Sequence, residues 1–311
     1  MATFINNLTT VSSQVFILFL LIALGFICGK IKLLNDESTK ALADISLLFT
    51  MPAVIIKSFI MKYDSSIAKS LLLSIVAAVL CHIIGIIIAT VIFRQKNNGR
   101  KVVFRNSAVL SNASFMALPL QLALLGTMGT FYGAAYSAIL NFTLWTYGLA
   151  TMGGKGEKIN IFKLIFNPGL ISICIGIVIF LFSFEPPQIL TTTITHIANL
   201  NTPLPMIVVG FYLSQVSFKN AFKDLESFIA ILARLVIVPL ASMGVLYLIG
   251  FRGDLFVSTV LSVSAPTAVA VTMFTAKYEG ETELSANIVS LSTLFSIISM
   301  SLIVALAQTI A

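Results

Sequence analysis

The sequence predicts an all-α polytopic membrane protein: ten transmembrane helices forming two inverted five-helix repeats, with helices four and nine broken where they cross. Three observations predict it. The chain of 311 residues is 58% hydrophobic and only 10% charged, with a mean hydropathy of +1.02, whereas a soluble domain is nearer a quarter charged. Apolar runs of membrane-spanning length recur from end to end. Prolines that interrupt those runs recur at half-chain spacing: Pro52 and Pro203 lie 151 residues apart, and Pro119 and Pro266 lie 147 apart. Ten spans divide into five and five, 1–152 and 153–311, and because five is odd the second half enters the membrane in the opposite sense.

In order, the spans read as 11–29, 37–60, 66–93, 102–125, 128–152, 161–184, 188–216, 224–250, 254–276 and 282–309. Ahead of span one, residues 1–10 hold no Lys or Arg, so the basic n-region of a cleavable signal peptide is missing, and Lys30 and Lys32 follow the span instead. Asn35-Asp36-Glu37 is a helix-start signal for span two. Span two then carries Pro52 in TMPAVIIKSFI, and span seven carries Pro203 in NTPLPMIVVGFYLSQ. Span four holds SNASFMALPL (Ser111 to Leu120), and span nine holds Pro266 in LSVSAPTAVAVTMF. The joining loops are short and leave no room for a soluble domain. Gly25, Gly29, Gly85, Gly176 and Gly210 read as points of close helix packing.

Charge orients the stack. With the N-terminus outside, the loops on the cytoplasmic side hold fourteen of the nineteen Lys and Arg residues: Lys30, Lys32 and Lys40; Arg94, Lys96, Arg100, Lys101 and Arg105; Lys155, Lys158 and Lys163; Lys219 and Lys223; and Lys277. The outer side holds four, Lys57, Lys62, Lys69 and Arg252, and Arg234 lies within span eight. This bias places both termini outside a cell membrane, plasma or bacterial inner. It also explains the net charge of +7 without a nucleic-acid partner; the lipid bilayer is the partner. Cys28, Cys81 and Cys174 are odd in number and far apart, with neither disulfide nor metal spacing, and read as small core residues.

The stretch Ser111–Leu120 places an Asn, two Ser and a Pro where a membrane helix should run. Irregular backbone at that depth is tolerated only where protein or a wet cavity surrounds it. A break around Asn112–Pro119 facing another around Ser264–Thr267 brings four half-helix ends together near the midplane. Half-helix N-termini suit an anion, and half-helix C-termini offer carbonyls that suit a cation. Paired, Pro-interrupted spans in matching positions of two halves are the sequence pointer to a transporter's binding site.

The order and spacing of LFTMPAVIIKSF, NASFMALPLQLALLG, LNFTLWTYG, FNPGLISICIGIVIF, TPLPMIVVGFYLS and APTAVAVTMFTAKYEG resemble the auxin efflux carrier family. That family includes plant PIN carriers and bacterial permeases for malate, malonate and similar acids. The resemblance runs over nearly the whole chain. It implies a fold similar to bile-acid symporters and sodium/proton antiporters, and an elevator mechanism. A scaffold from 11–60 and 161–216 dimerises, and a transport domain from 66–152 and 224–309 carries the crossover. By the same resemblance Asn112, seven residues before Pro119, contacts the substrate carboxylate; Ser114, Pro119 and Gln121 of the same break are further candidates for substrate binding. Asn141, four residues before Trp145, lines the pocket where PIN carriers have a Gln; Pro266 and Thr267 match the second crossover, and Ser264 at the same break is a further candidate. The chain departs from the family pattern at Ala117, where many members have Gly, and at Ala270, where bacterial relatives often have Asn.

Ionisable residues within spans are functional suspects. Asp44 is a candidate for gating, and His82 and His196 are candidates for proton coupling, each set against a packing or solvated role. Arg234 reads as a residue snorkelling to lipid headgroups near the inner interface, as does Lys57 at the outer one. Three function classes compete. A secondary carrier of small organic anions, carboxylates above all, leads. The alternatives to a simple anion carrier are a proton- or sodium-coupled dicarboxylate or monocarboxylate uptake permease and an anion channel, the channel lacking a charged ring or carbonyl filter motif. An intramembrane enzyme is the third class, without HExxH or a second buried Asp to pair with Asp44. No cofactor is implied. The simplest cycle moves a bare carboxylate anion, so that net negative charge crosses with each turnover.

Overall fold

A computed structural model describes residues 2–153, 167–216, 224–278 and 280–311. The described residues are helical, apart from turns and one isolated antiparallel bridge, Ser111 with Thr267. The chain runs through α1 (Ala2–Lys30), α2 (Asp36–Phe59), α3 (Ser65–Ile92), α4 (Asn98–Val109), α5 (Ala113–Met152), α6 (Pro168–Leu181), α7 (Gln188–Gln215), α8 (Leu225–Ile249), α9 (Gly253–Ser264), α10 (Val269–Lys277) and α11 (Thr282–Ile310).

Seven of these are long and apolar enough to cross a membrane, so the chain is a polytopic membrane protein. Seven is fewer than the ten spans read from the sequence, for reasons visible in the backbone. Span four is divided into α4 and the first arm of α5. Gly126, at φ 63° and ψ −150°, then turns α5 back into span five, a conformation that costs Gly no Cβ clash. Span nine is divided into α9 and α10, each too short to cross alone. Span six is described only from Asn167, the start of that reading (161–166) lying outside the described residues together with Lys155, Lys158, Lys163, Lys219 and Lys223.

Helix ends follow local chemistry. Asn35 caps α2: its side chain accepts from the Ser38 N–H, and the Ser38 hydroxyl in turn accepts from the Asn35 N–H. Asp64 caps α3 through the N–H groups of Ser66 and Ile67, and Asn97 caps α4 through Gly99 and Arg100. Among the described residues, four π-helical turns widen the helices, at Ser46–Thr50, Ala113–Ala117, Leu144–Gly148 and Ala233–Ile237. Such turns are rare and gather at functional sites.

Small residues set the helix seams. A Cβ on Gly25 would strike the backbone of Ile207, and one on Gly210 would strike the backbone of Ile22 and Phe26, so α1 and the second half of α7 meet backbone to backbone. Gly29 lies against Ser214, and Gly176 against the Phe59 ring. Gly85 departs from the expected role: a Cβ there would meet Val238 at an ordinary 3.6 Å. Phe59, Phe131 and Phe180 join α2, α5 and α6, with ring centroids 4.6 and 5.8 Å apart. Of the cysteines, Cys81 is buried, Cys28 is partly buried and Cys174 is exposed, so the expected core placement holds fully only for Cys81.

Candidate functional site

The two breaks cross. The Asn112 N–H donates to the Pro266 carbonyl at 2.7 Å, and the Ala268 N–H donates to the Leu110 carbonyl at 2.9 Å. Two short, buried extended segments thus complete each other's backbone hydrogen bonds. Four helix ends converge there: the C-termini of α4 and α9, and the N-termini of α5 and α10.

The two kinds of end are treated differently. At the end of α4 the exposed carbonyls are all taken. Ser107 accepts from the Thr267 hydroxyl at 3.1 Å. Ala108 and Val109 accept from the Arg234 guanidinium at 2.9 and 3.1 Å. The same guanidinium donates to Val263 in the last turn of α9. Arg234 is therefore not at the lipid surface, as its sequence position suggested. It is fully buried, at 0% exposure, because carbonyls at two helix ends replace the headgroups it would otherwise seek. Among the described residues the ion pairs are those of Arg100 with Asp224 and Glu226, at 2.7 and 3.0 Å, so Arg234 is held by backbone dipoles and not by a carboxylate.

The N-termini, by contrast, are left open. Neither Asn112 ahead of α5 nor Ala268 ahead of α10 makes a side-chain cap. Both helix starts border a cavity of about 250 Å³ lined by Ser114 and Phe115 from one and Val269 and Ala270 from the other. Asn112 is only 5% exposed, and its Nδ2 has no hydrogen-bond partner. A buried donor without an acceptor is costly to leave so, and the residue that carries it lines the cavity. Leu110, Leu140, Leu144, Trp145, Met273 and Phe274 supply apolar wall, and Leu47 closes it from α2.

The other candidates distribute as follows. Asn112, Ser114 and Asn141 line the cavity. The Asn141 amide donates to the Ser137 carbonyl at 2.9 Å, and its oxygen accepts from Asn167 Nδ2 at 3.3 Å. Pro119 is buried in the first turns of α5, and Pro266 lends its carbonyl to the crossing. Gln121 is turned away: its amide donates to the Ser258 carbonyl and the Ser262 hydroxyl at 2.9 and 2.7 Å, tying α5 to α9. The Ser264 hydroxyl bonds within α9 to Val260. Thr267 lies behind the cavity, its N–H donating to the Ser292 hydroxyl at 3.2 Å. His82 is buried in α3 with Nδ1 2.8 Å from the Ala78 carbonyl and its ring against Tyr136. Asp44 and His196 are exposed on α2 and α7, and neither borders the cavity.

Two residues of the site were not anticipated as such. Asn167 caps α6 through Gly169 N at 2.9 Å and also lines the cavity; its signal was the Asn-Pro-Gly start of FNPGLISI, an N-cap followed by Pro at N1. For Arg234 the signal was a lone cation well inside an apolar span, which sequence position could not distinguish from a snorkelling residue. A second cleft, of about 470 Å³, lies between Tyr212 and Gln215 of α7 and Thr272, Asn287 and Ser290 of α10 and α11. It shares Val269 and Met273 with the crossing cavity.

The chain is 24% identical over 290 residues to an uncharacterised transporter of Methanothermobacter thermautotrophicus, covering 91% of this chain and 93% of the relative. It is 25% identical over 302 residues to an uncharacterised transporter of Methanocaldococcus jannaschii, covering 93% and 96%. The model of the Membrane transport protein family matches residues 10–304. A membrane-embedded crossing of broken helices, matched over nearly its whole length by that model, places this chain in the Membrane transport protein family, the family of the auxin efflux carriers, as a transporter and not an enzyme.

Proposed function

We propose that the protein is an elevator-type carrier of small organic anions, carboxylates in particular, which bind in the cavity at the crossing. One observation carries this: two uncapped helix N-termini and Asn112, whose Nδ2 is unpartnered, border the same 250 Å³ space. Each helix N-terminus presents roughly +0.5 elementary charge, so the pair balances about one negative charge, that of a single carboxylate. The apolar remainder of the wall accepts the body of the acid.

The arrangement is read as ten spans in two inverted halves, both termini outside. The scaffold is 11–60 with 161–216, and the moving domain is 66–152 with 224–309. Leu47 and Asn167 border the cavity from the scaffold side, and the Asn167–Asn141 hydrogen bond joins the two parts across it. Sliding of the moving domain breaks that bond and carries the cavity across. The cleft beside Met273 is then the inward approach to the site. The test is a thermal-stability screen of the purified protein against carboxylic acids, since a ligand stabilises the state it binds. Saturable stabilisation by an acid that is lost in Asn112→Ala supports the reading; stabilisation unchanged by that substitution refutes it.

A further inference from the structure

Two half-helix C-termini buried side by side create a need that the chain must meet. Each presents roughly −0.5 elementary charge, so the ends of α4 and α9 together amount to about −1 in a buried site. A bound monovalent cation, coordinated by main-chain carbonyls, would satisfy it. Here the place is already taken. The guanidinium of Arg234 donates to Ala108, Val109 and Val263, carbonyls from the last turns of both helices. It is fully buried and carries a charge that a guanidinium does not give up inside proteins. Thr267 occupies the next carbonyl, Ser107, and Ala268 the one after, Leu110. No free carbonyl remains in the last turn of α4 for an incoming ion.

We propose that Arg234 is a resident counter-cation of the crossing, standing where a diffusible alkali cation would otherwise bind, so that the transport cycle requires no sodium at this site. It is a positioning residue: it holds the ends of α4 and α9 together and so keeps the N-termini of α5 and α10 aimed at one cavity. The consequence for coupling rests on the carrier reading above, but the residue's role does not, and the test is chosen accordingly.

The experiment follows thermal unfolding of the purified protein in lipid nanodiscs at constant ionic strength, with no organic acid present. Sodium, lithium, choline and dilute guanidinium chlorides are compared for wild type, Arg234→Lys, Arg234→Met and Arg234→Ala. Wild type is expected to unfold at the same temperature in sodium and in choline. Arg234→Met, close in size but uncharged, is expected to lose several degrees, and Arg234→Lys to lose less. Arg234→Ala is expected to regain part of its loss in dilute guanidinium or sodium but not in choline, which is too large to enter. Saturable stabilisation of wild type by sodium overturns the proposal. So does an Arg234→Met protein as stable as wild type, or a Lys variant no better than Met. If Arg234→Ala does not fold, the wild-type salt comparison and the Lys–Met pair still decide. An absence of acid binding would refute the carrier reading and leave this result untouched.

Discussion

Replacing Asn112 by Ala removes a polar side chain that lines the proposed binding cavity, at little structural cost. Its Nδ2 has no partner in the protein, so truncation breaks no internal hydrogen bond there and removes a buried donor that lacks an acceptor. The folded protein is expected to unfold within about 1 kcal/mol of wild type. Binding should suffer more. A hydrogen bond to a charged group contributes about 1.5–3 kcal/mol, which is roughly 10- to 100-fold in affinity. Ligand stabilisation makes this measurable: an acid at 100 times its Kd stabilises by about 2.7 kcal/mol, and after a 100-fold loss the same concentration stabilises by only about 0.4 kcal/mol. Asn112→Asp sharpens the test. A carboxylate there faces the bound carboxylate, and two like charges about 4 Å apart at an effective dielectric near 20 repel by about 4 kcal/mol, enough to abolish the shift. Equal ligand shifts in wild type, Asn112→Ala and Asn112→Asp would refute the placement of the anion at the crossing.

Thr267→Val keeps the shape but leaves the buried Ser107 carbonyl without its partner; thermal unfolding is expected to report a loss of about 1–3 kcal/mol. Gly210→Ala drives a methyl into the backbone of Ile22 and Phe26 and should destabilise by about 1–3 kcal/mol, whereas Gly244→Ala, whose Cβ meets nothing within 4 Å, should be neutral or stabilising by up to about 1 kcal/mol. At the start of α8, burial works against the Asp224 charge, but the Ser227 hydroxyl and Arg100 together outweigh it and hold the carboxyl below its ordinary pKa. A depressed carboxyl stabilises the fold above its unfolded pKa and ceases to as pH falls through its folded one. Asp224→Asn should therefore be less stable than wild type at neutral pH by at most about 1 kcal/mol, since the pair is partly solvated. In pH-dependent unfolding the difference should close below about pH 4.

The crossing was legible in the sequence because it needs residues that a plain membrane helix does not. Pro119 and Pro266, with the Asn, Ser and Thr around them, marked where the backbone leaves the helix, and the structure joins Asn112 to Pro266 and Ala268 to Leu110 at those points. The hairpin between spans four and five was legible as a gap, and Gly126 makes it. The direction of each polar side chain was not legible. Gln121 and Thr267 sit within a few residues of the crossing, yet face neighbouring helices, because orientation depends on the rotation of α5 against α9 and of α10 against α4. Arg234 was misplaced for a related reason: a cation in an apolar span reads as seeking headgroups, and only the convergence of two C-termini from spans distant in sequence supplies another home for its charge. Asn167 fell inside the span read as 161–184, and its contact with Asn141 lies across two halves of the chain.

Flux from proteoliposomes shows whether a carboxylate anion is carried through the crossing. Vesicles loaded with the acid that stabilises the protein are placed under potassium-diffusion potentials, with no sodium or pH gradient. Saturable flux with counterflow is expected. Efflux should be favoured by an inside-negative potential by about 2.3 kcal/mol per charge per 100 mV, roughly a fiftyfold gradient, and flux should be sharply reduced in Asn112→Ala. Flux that rises linearly with concentration, ignores voltage, or proceeds at the wild-type rate in Asn112→Ala would contradict carriage of the anion through the crossing.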